Sequence, residues 1–478
     1  MVTKLLGSVA IAVLAVIYLA MFFDLRLERA GSGFPTILIF HNPESHAQAL
    51  ERNRIQHRHE EATVQPRMEV KQSGDFVVAS EKATAETPPR RGSTYWTAFR
   101  GPRRDGHYDE MKTLTAWRPD GLQVLWRQPI GGGYASFAIA ERRAFTIEQR
   151  RDREVVAAYD VETGRELWTH SWQAEFRESM GGDGPRATPT WDEGRLYALG
   201  ATGELHCLNA ENGKLIWSLN ILSDNRARNL TWGMAASPLV VDDKVIVLPG
   251  GRSGESVVAY DKRTGEPVWK VLDDQQAYTS PMVVTLAGQQ QLLVVSAERA
   301  MGLAVEDGSL LWDYPWVTQF GINSAQPIAV DGNHFFISAG YGHGAALVEV
   351  IQTENGFTAR TVWENINMKN KFNSSVLYQQ HIYGLDEGIL ACIDARTGER
   401  KWKSGRYGYG QVLLASGYLI VLTETGDLVL VKATPERHEE VARFSALEGK
   451  SWNHPAIADG HLLVRNAREM AAYKIAAH

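Results

Sequence analysis

Twelve side chains in this sequence carry groups suited to holding a ligand, and they fall in loops between apolar runs. Trp232, Tyr409 and Trp452 offer planar surfaces on which a flat or cationic group can stack. Arg186, Lys371 and Arg465 are cations of the kind that meet carboxylates, while Asn323, Gln411 and Asn453 add amide donors and acceptors. Glu387 and Glu424, with Asn373, supply hard oxygens of the type that ligate calcium. Each has a simpler reading: loop aromatics and amides also seal a channel and satisfy loop backbones, and two loop carboxylates are ordinarily just exposed. No metal site is assigned. His57 and His59 lack the supporting ligands a zinc site needs, and Gly131 to Gly133 and Gly250 to Gly251 lack the Gly-Lys-Ser/Thr signature of a phosphate loop.

These residues need a scaffold, and composition bounds it. The chain has 478 residues, of which 44% are hydrophobic, enough to bury a large core. With 56 acidic against 50 basic residues it has no cationic field for a phosphate backbone, which excludes nucleic acid as a partner.

The scaffold declares itself by self-similarity. Ala158-Tyr-Asp-Val-Glu-Thr-Gly-Arg-Glu-Leu-Trp168 recurs as Ala259 to Trp269 and as Cys392 to Trp402, with weaker copies at Cys207 to Trp217 and Gly302 to Trp312. Trp126, Trp363 and Phe444 complete a series of anchors spaced 39 to 52 residues apart, a period that suits four short strands per unit. In Asp-x-x-Thr-Gly the glycine supplies a positive φ and the Asp or Thr caps backbone donors, which marks a hairpin between the last two strands. Leu122 to Ile130 is an outer-strand motif with no blade before it, and Ser451 to Ile475 supplies inner strands with no terminal tryptophan. Joined, they make a composite unit. The expected fold is all-β: an eight-bladed β-propeller over residues 95–478, closed by pairing the N- and C-terminal strands. Alternation of strands then gathers the twelve candidates at one mouth of a central channel, as a ligand funnel. Cys207 and Cys392 fall in equivalent third strands half a circuit apart, too far for a disulfide.

Ahead of the repeats, Leu5 to Phe23 is an apolar run without a charge, close to the length of a membrane-spanning helix. Residues 1–28 are therefore read as an uncleaved N-terminal membrane anchor and 29–94, which lack a sustained apolar period, as a flexible linker.

On these repeats the chain resembles the pyrroloquinoline-quinone (PQQ)-repeat propellers, a superfamily that holds quinoprotein alcohol dehydrogenases and a non-enzymatic propeller lipoprotein of the outer-membrane assembly machinery. Trp96-Thr-Ala-Phe-Arg-Gly-Pro-Arg-Arg-Asp-Gly106 is similar to the segment that opens a group of bacterial membrane or exported propellers. The resemblance implies a single-pass protein of the bacterial inner membrane with its propeller on the periplasmic or extracellular side. The dehydrogenases share an adjacent Cys-Cys pair, a calcium held by Glu and Asn, and an Asp base, whereas this chain has only Cys207 and Cys392 and no Cys-x-x-Cys-His haem motif. The expectation is a membrane-tethered binding or assembly module that takes an envelope protein or a small molecule and has no assigned cofactor, with the balance leaning away from an enzyme. The rival is a PQQ-dependent oxidoreductase acting on an alcohol or sugar, with PQQ and calcium in the funnel and Asp386, Glu387 or Glu424 as base.

Overall fold

The computed structural model describes residues 24–29, 35–41, 43–64 and 95–477, together with Leu14 and Gly31. Its repeats form eight blades of four antiparallel strands, in sequential order in all but the last. Blade 1 is built from Ala138–Ala140, Arg143–Arg150, Arg153–Asp160 and Glu166–Gln173, and blades 2 to 7 repeat the pattern to Glu440–Ser445. Blade 8 is the composite: Ala456–Ala458, His461–Arg465 and Glu469–Lys474 take Gln123–Pro129 as their outer strand, with Glu469 opposite Pro129 and Lys474 opposite Gln123. First strands touch first strands around the axis, and outer strands alternate exposed and half-buried residues. Each first strand runs from what we call the mouth face to the turn face. Connections between blades and loops between second and third strands therefore share the mouth face, and the Asp-x-x-Thr-Gly hairpins share the turn face.

The repeated residues interlock the blades. Asp160 Oδ1 accepts from the Thr163 backbone N–H at 2.8 Å and from the Thr163 hydroxyl at 2.8 Å, and Gly164 N donates to Asp160 O at 2.8 Å, which makes the tight hairpin. The tryptophan of the preceding blade grips that turn. Trp126 Nε1 donates to Val161 O at 2.8 Å, Trp168 to Ala210 O at 3.1 Å, Trp217 to Lys262 O at 3.2 Å, Trp363 to Ala395 O at 3.1 Å and Trp402 to Thr434 O at 2.9 Å. The indole also lies flat against the turn glycine: at Gly265, whose φ is 78°, a Cβ would sit 2.8 Å from the Trp217 ring. Glycine is thus demanded twice, by its left-handed backbone and by the ring against it. At the composite blade Phe444 takes the tryptophan's place and Gly121, with φ 94°, takes that of the turn glycine.

The axial channel is filled by the segment Trp96 to Tyr108. It enters from the turn face, where Ile139 N donates to Trp96 O at 2.7 Å and Trp191 N to Thr97 O at 2.8 Å, and His107–Tyr108 pairs in parallel with Leu414 and Ala415 of blade 7. Arg100 and Arg104 take left-handed backbone at φ 61° and 57°, and both side chains are buried. Arg104 donates to Ser237 O at 3.0 Å, to Pro281 O at 2.9 Å and to Pro238 O, carbonyls at the starts of the first strands of blades 3 and 4. Arg100 donates to Ser375 O at 2.7 Å and lies 2.9 Å from His454 Nε2, on the starts of blades 6 and 8. Burial lowers both guanidinium pKa values, to about 10 for Arg100 and about 9 for Arg104, and burial followed by Arg100 holds His454 well below its usual value. His454 is therefore neutral and accepts from Arg100. Each arginine thereby ties two blades together at the axis.

Two sequence expectations concern the segment ahead of the propeller. Residues 29–94 were expected to form a flexible linker, but they include the helix Pro43–Val64 and the strand Pro35–His41, which pairs with Asp24–Arg29. The helix lacked an apolar period because it holds the propeller by polar contacts. Its buried Arg54 donates to Pro129 O at 3.0 Å, Gln128 Oε1 at 3.2 Å and Tyr159 Oη at 3.2 Å, and pairs with Glu166 at 3.2 Å, across the seam of blades 8 and 1. Among the described residues no helix is long and apolar enough to cross a membrane, and the run Leu5 to Phe23, Leu14 apart, lies outside them.

The cysteines are free and buried, Cys207 in the core between blades 2 and 3 and Cys392 in that between blades 6 and 7. Burial raises both thiol pKa values to about 12, which removes the reactive thiolate. A thiol titration of protein denatured without reductant should find both free, and a Cys207 to Cys392 bond would overturn the ring order. For the plug, Arg104→Met should lower stability by about 3–5 kcal/mol, read as a shift of the denaturation midpoint, since it strands buried carbonyls. Arg104→Lys should recover only part of the loss, because an ammonium cannot fork across two blades.

Candidate functional site

At the mouth face aromatic side chains gather around the rim above the plug. Tyr134 packs against Trp452 at 5.6 Å between ring centroids, Trp452 against Phe372 at 4.5 Å, and Phe372 against Tyr409 at 5.6 Å. The Lys371 ammonium lies 5.1 Å from the Tyr409 centroid and 4.8 Å from that of Tyr341, which carries the rim to blade 5. On the far side Trp232 meets Tyr278 at 5.6 Å, and Arg186 covers Tyr134 at 5.4 Å and Phe176 at 4.9 Å. Lys450 adds a second ammonium, 4.3 Å from the Trp452 ring. These residues come from blade-to-blade connections and second-to-third-strand loops, whose positions are set by the rigid first strands behind them.

At the rim Glu424 is the polar centre. Its Oε1 accepts from Trp452 Nε1 at 3.0 Å and from Gly31 N at 2.6 Å, and its Oε2 accepts from Tyr409 N at 3.2 Å. Lys371 donates to Gly31 O at 2.5 Å, and burial lowers its pKa, partly offset by Glu387 and Glu424. A residue from the N-terminal segment thus sits in the mouth.

Of the expected funnel residues, the structure brings Trp232, Lys371, Tyr409, Glu424 and Trp452 to the open rim. Arg186 is on the rim too but is committed to its own loop, donating to Gly184 O at 2.5 Å and Gly182 O at 2.6 Å. Arg465 does not reach the mouth: fully buried, it donates to Thr146 Oγ1 at 2.8 Å and Gly131 O at 2.9 Å and closes the seam of blades 8 and 1. Gln411 is a clamp between loops, donating to Trp452 O at 2.9 Å. The three asparagines are buried braces. Asn323 donates to Ser296 O at 2.8 Å and Asn453 to Ala135 O at 2.9 Å, and Asn373 Oδ1 accepts from Lys371 N at 3.3 Å. One polar atom of each, Asn323 Oδ1, Asn373 Nδ2 and Asn453 Oδ1, is without a protein partner.

The calcium candidates have other partners. Glu387 turns to Lys369, 3.4 Å away, while the Glu424 carboxylate faces three N–H donors, whose positive ends would repel a cation. Among the described residues no three His, Cys, Asp or Glu side chains are placed to hold a metal ion. Asp386 is also unsuited to act as a base, being buried and ringed by Lys403 at 2.6 Å, Lys369 at 3.6 Å and Arg400 at 3.6 Å. Sequence reasoning missed Tyr134, Tyr278, Tyr341, Phe372 and Lys450, each a lone aromatic or cation in a loop, and Gly31, for which nothing local gives a signal.

The model of the family described as outer membrane protein assembly factor BamB matches residues 152–404. This chain belongs to that family of PQQ-repeat propellers. It is 24% identical over 315 residues to outer membrane protein assembly factor BamB of Shewanella oneidensis, covering 62% of this chain and 75% of that protein. It is 26% identical over 168 residues to quinohemoprotein alcohol dehydrogenase ADH-IIG of Pseudomonas putida, 33% of this chain and only 22% of the enzyme. The crystal structure of BamB from Moraxella catarrhalis superposes with a TM-score of 0.53 at 16% identity over 75% of this chain and 98% of that one, a likeness of fold.

Beneath the rim, Glu154 of this PQQ-repeat propeller is buried between blades 1 and 2, where its carboxylate accepts from Ala201 N at 2.8 Å and Trp172 Nε1 at 3.0 Å. Burial outweighs these bonds and raises its pKa to about 7. The folded chain therefore binds this proton more tightly than the unfolded one. The stability it confers is complete below the ordinary carboxylate range and is lost as pH rises through about 7. Between about pH 5 and about pH 8 the melting temperature of Glu154→Gln should rise relative to wild type, and a pH-independent difference would refute the assignment.

Proposed function

We propose that this chain is an envelope binding or assembly module, held at the bacterial inner membrane by Leu5 to Phe23 and presenting the mouth of its propeller to a protein partner on the periplasmic side. The observation that carries this reading is the chemistry of the mouth. Aromatic rings, an ammonium and a carboxylate are arranged to hold a polar chain, and the acids a hydride-transferring enzyme would use are engaged in ion pairs or accept from fixed N–H groups. The family relatives named for outer-membrane assembly support it over most of their length. On the same face Val317, Phe320 and Ile366 are 63%, 71% and 62% exposed, an unusual outlay of apolar surface that suits a protein contact.

The quinoprotein reading rests on the shorter alcohol dehydrogenase matches. It requires PQQ and calcium in the mouth, where Glu424 lacks a free face for the cation. Three measurements test these readings. A photo-crosslinking residue in place of Phe320 should join the full chain to an outer-membrane assembly protein in native envelopes, and alkaline extraction should leave the chain in the membrane unless residues 1–23 are deleted. Purified protein incubated with PQQ and calcium should neither melt higher nor reduce a dye. A rise in melting temperature with dye reduction would overturn the assembly reading, because ligand held only by the folded state must stabilise it.

A further inference from the structure

We propose that the mouth is a receptor for a glycine-bearing peptide turn, and that Gly31 of the same chain occupies it in cis and competes with any partner's turn. The inference deepens the reading of the mouth as a protein-binding site and rests on it. Its basis is how one peptide residue is held. The Gly31 N–H is donated to Glu424 Oε1 at 2.6 Å and the Gly31 carbonyl accepts from Lys371 Nζ at 2.5 Å. A carboxylate for the donor and an ammonium for the acceptor read the two polar groups that every peptide residue carries, and both bonds are charge-assisted.

The third contact supplies selectivity. The Tyr409 ring lies so close to the Gly31 Cα that a Cβ there would overlap Tyr409 Cβ, Cγ and Cδ2. Gly31 is not among the left-handed glycines, so the close approach, and not the torsion, excludes every other residue. Tyr409 cannot simply swing away: its ring is packed on Phe372 and beneath the Lys371 ammonium, while its N–H is bound to Glu424. The Trp452 indole, donating to the same Glu424 oxygen, fixes the carboxylate from the other side. Gly31 is buried there. The three recognising side chains come from the connections entering blades 6 and 7 and from a loop of blade 7, separated from Gly31 by more than 300 residues of chain.

Tethering makes Gly31 an intramolecular competitor, present at high effective concentration whatever the level of partner. A partner's glycine turn gains the mouth only by displacing it, so the apparent affinity of the wild-type chain is lower than that of the site itself.

The test uses the full chain and a labelled heptapeptide with the sequence of residues 28–34, against a version in which Gly31 and Gly33 are valine. The Gly31→Val chain, its own residue excluded by Tyr409, should bind the glycine peptide at least about tenfold more tightly than the wild-type chain does, and at least about tenfold more tightly than it binds the valine peptide. Adding Glu424→Gln to that chain should remove most of the binding. Equal binding of the two peptides, or none, would overturn the proposal. Hydrogen exchange gives an independent reading on unmodified protein: the Gly31 amide should be protected in the wild-type chain and exposed in Glu424→Gln, and exchange at the unstructured rate in wild type would also overturn it. Neither assay involves an envelope partner, so a negative crosslink from Phe320 and a negative result here report on different claims.

Discussion

The ring depends above all on one recurring contact, the indole of one blade hydrogen-bonded to the hairpin of the next at five of the eight junctions. A four-stranded sheet with one repeat's worth of sequence cannot bury both of its faces alone, and its stability comes from its neighbours. The tryptophan supplies a large apolar surface and a single donor, and the hairpin supplies a carbonyl and a glycine with no side chain to obstruct the ring. The contact is varied where the geometry allows: Trp312 turns to Gln291 of its own blade, and Phe444 packs on Gly121 without a donor at all.

Closure follows from the same contact. Trp126 belongs to the first strand-forming segment of the propeller, yet it completes the last blade and grips the first, so the two chain ends are locked through one residue. The helix Pro43–Val64 reinforces that seam from outside with Arg54, and Arg465 with its neighbour Glu148 reinforces it from inside. Burial works against the Glu148 charge, but Arg150, Arg54 and Arg465 together outweigh it and hold its pKa at about 2. The seam is where a ring made from an open chain is weakest, and the buried Arg54, Glu148 and Arg465 side chains meet there.

The plug turns a channel into a blind funnel. With Arg100 and Arg104 saturating the carbonyls at the axis, the base of the mouth is formed by the protein itself, and a ligand has only the rim to engage. The rim accordingly carries the functional chemistry, built from residues that share no strand and few of which share a blade. Lys371 and Glu424 meet the carbonyl and the N–H of one peptide residue, Gly31.

How much of this was legible in the sequence depends on the range over which each feature is encoded. The blades, their number and the composite closure were readable because Asp160, Gly164 and Trp168 act within a dozen residues and recur, so local hydrogen bonding and strand alternation suffice to specify them. The face on which the candidates lie was readable for the same reason, since alternation alone assigns each loop. The roles of individual residues were not. Arg465 and Arg186 have the composition of ligand-binding arginines, but whether a guanidinium meets a ligand or a backbone carbonyl depends on which carbonyls the ring brings within about 3 Å, and those are supplied by other blades. Arg100 and Arg104 looked like part of an opening motif with no chemistry of its own, and only the assembled ring supplies the carbonyls that make them a plug. Sequence by itself determined the repeat, because the repeat is local; the tertiary structure alone decided the plug, the rim and the place of Gly31, because each is a convergence of residues hundreds of positions apart on an axis that does not exist until the ring closes.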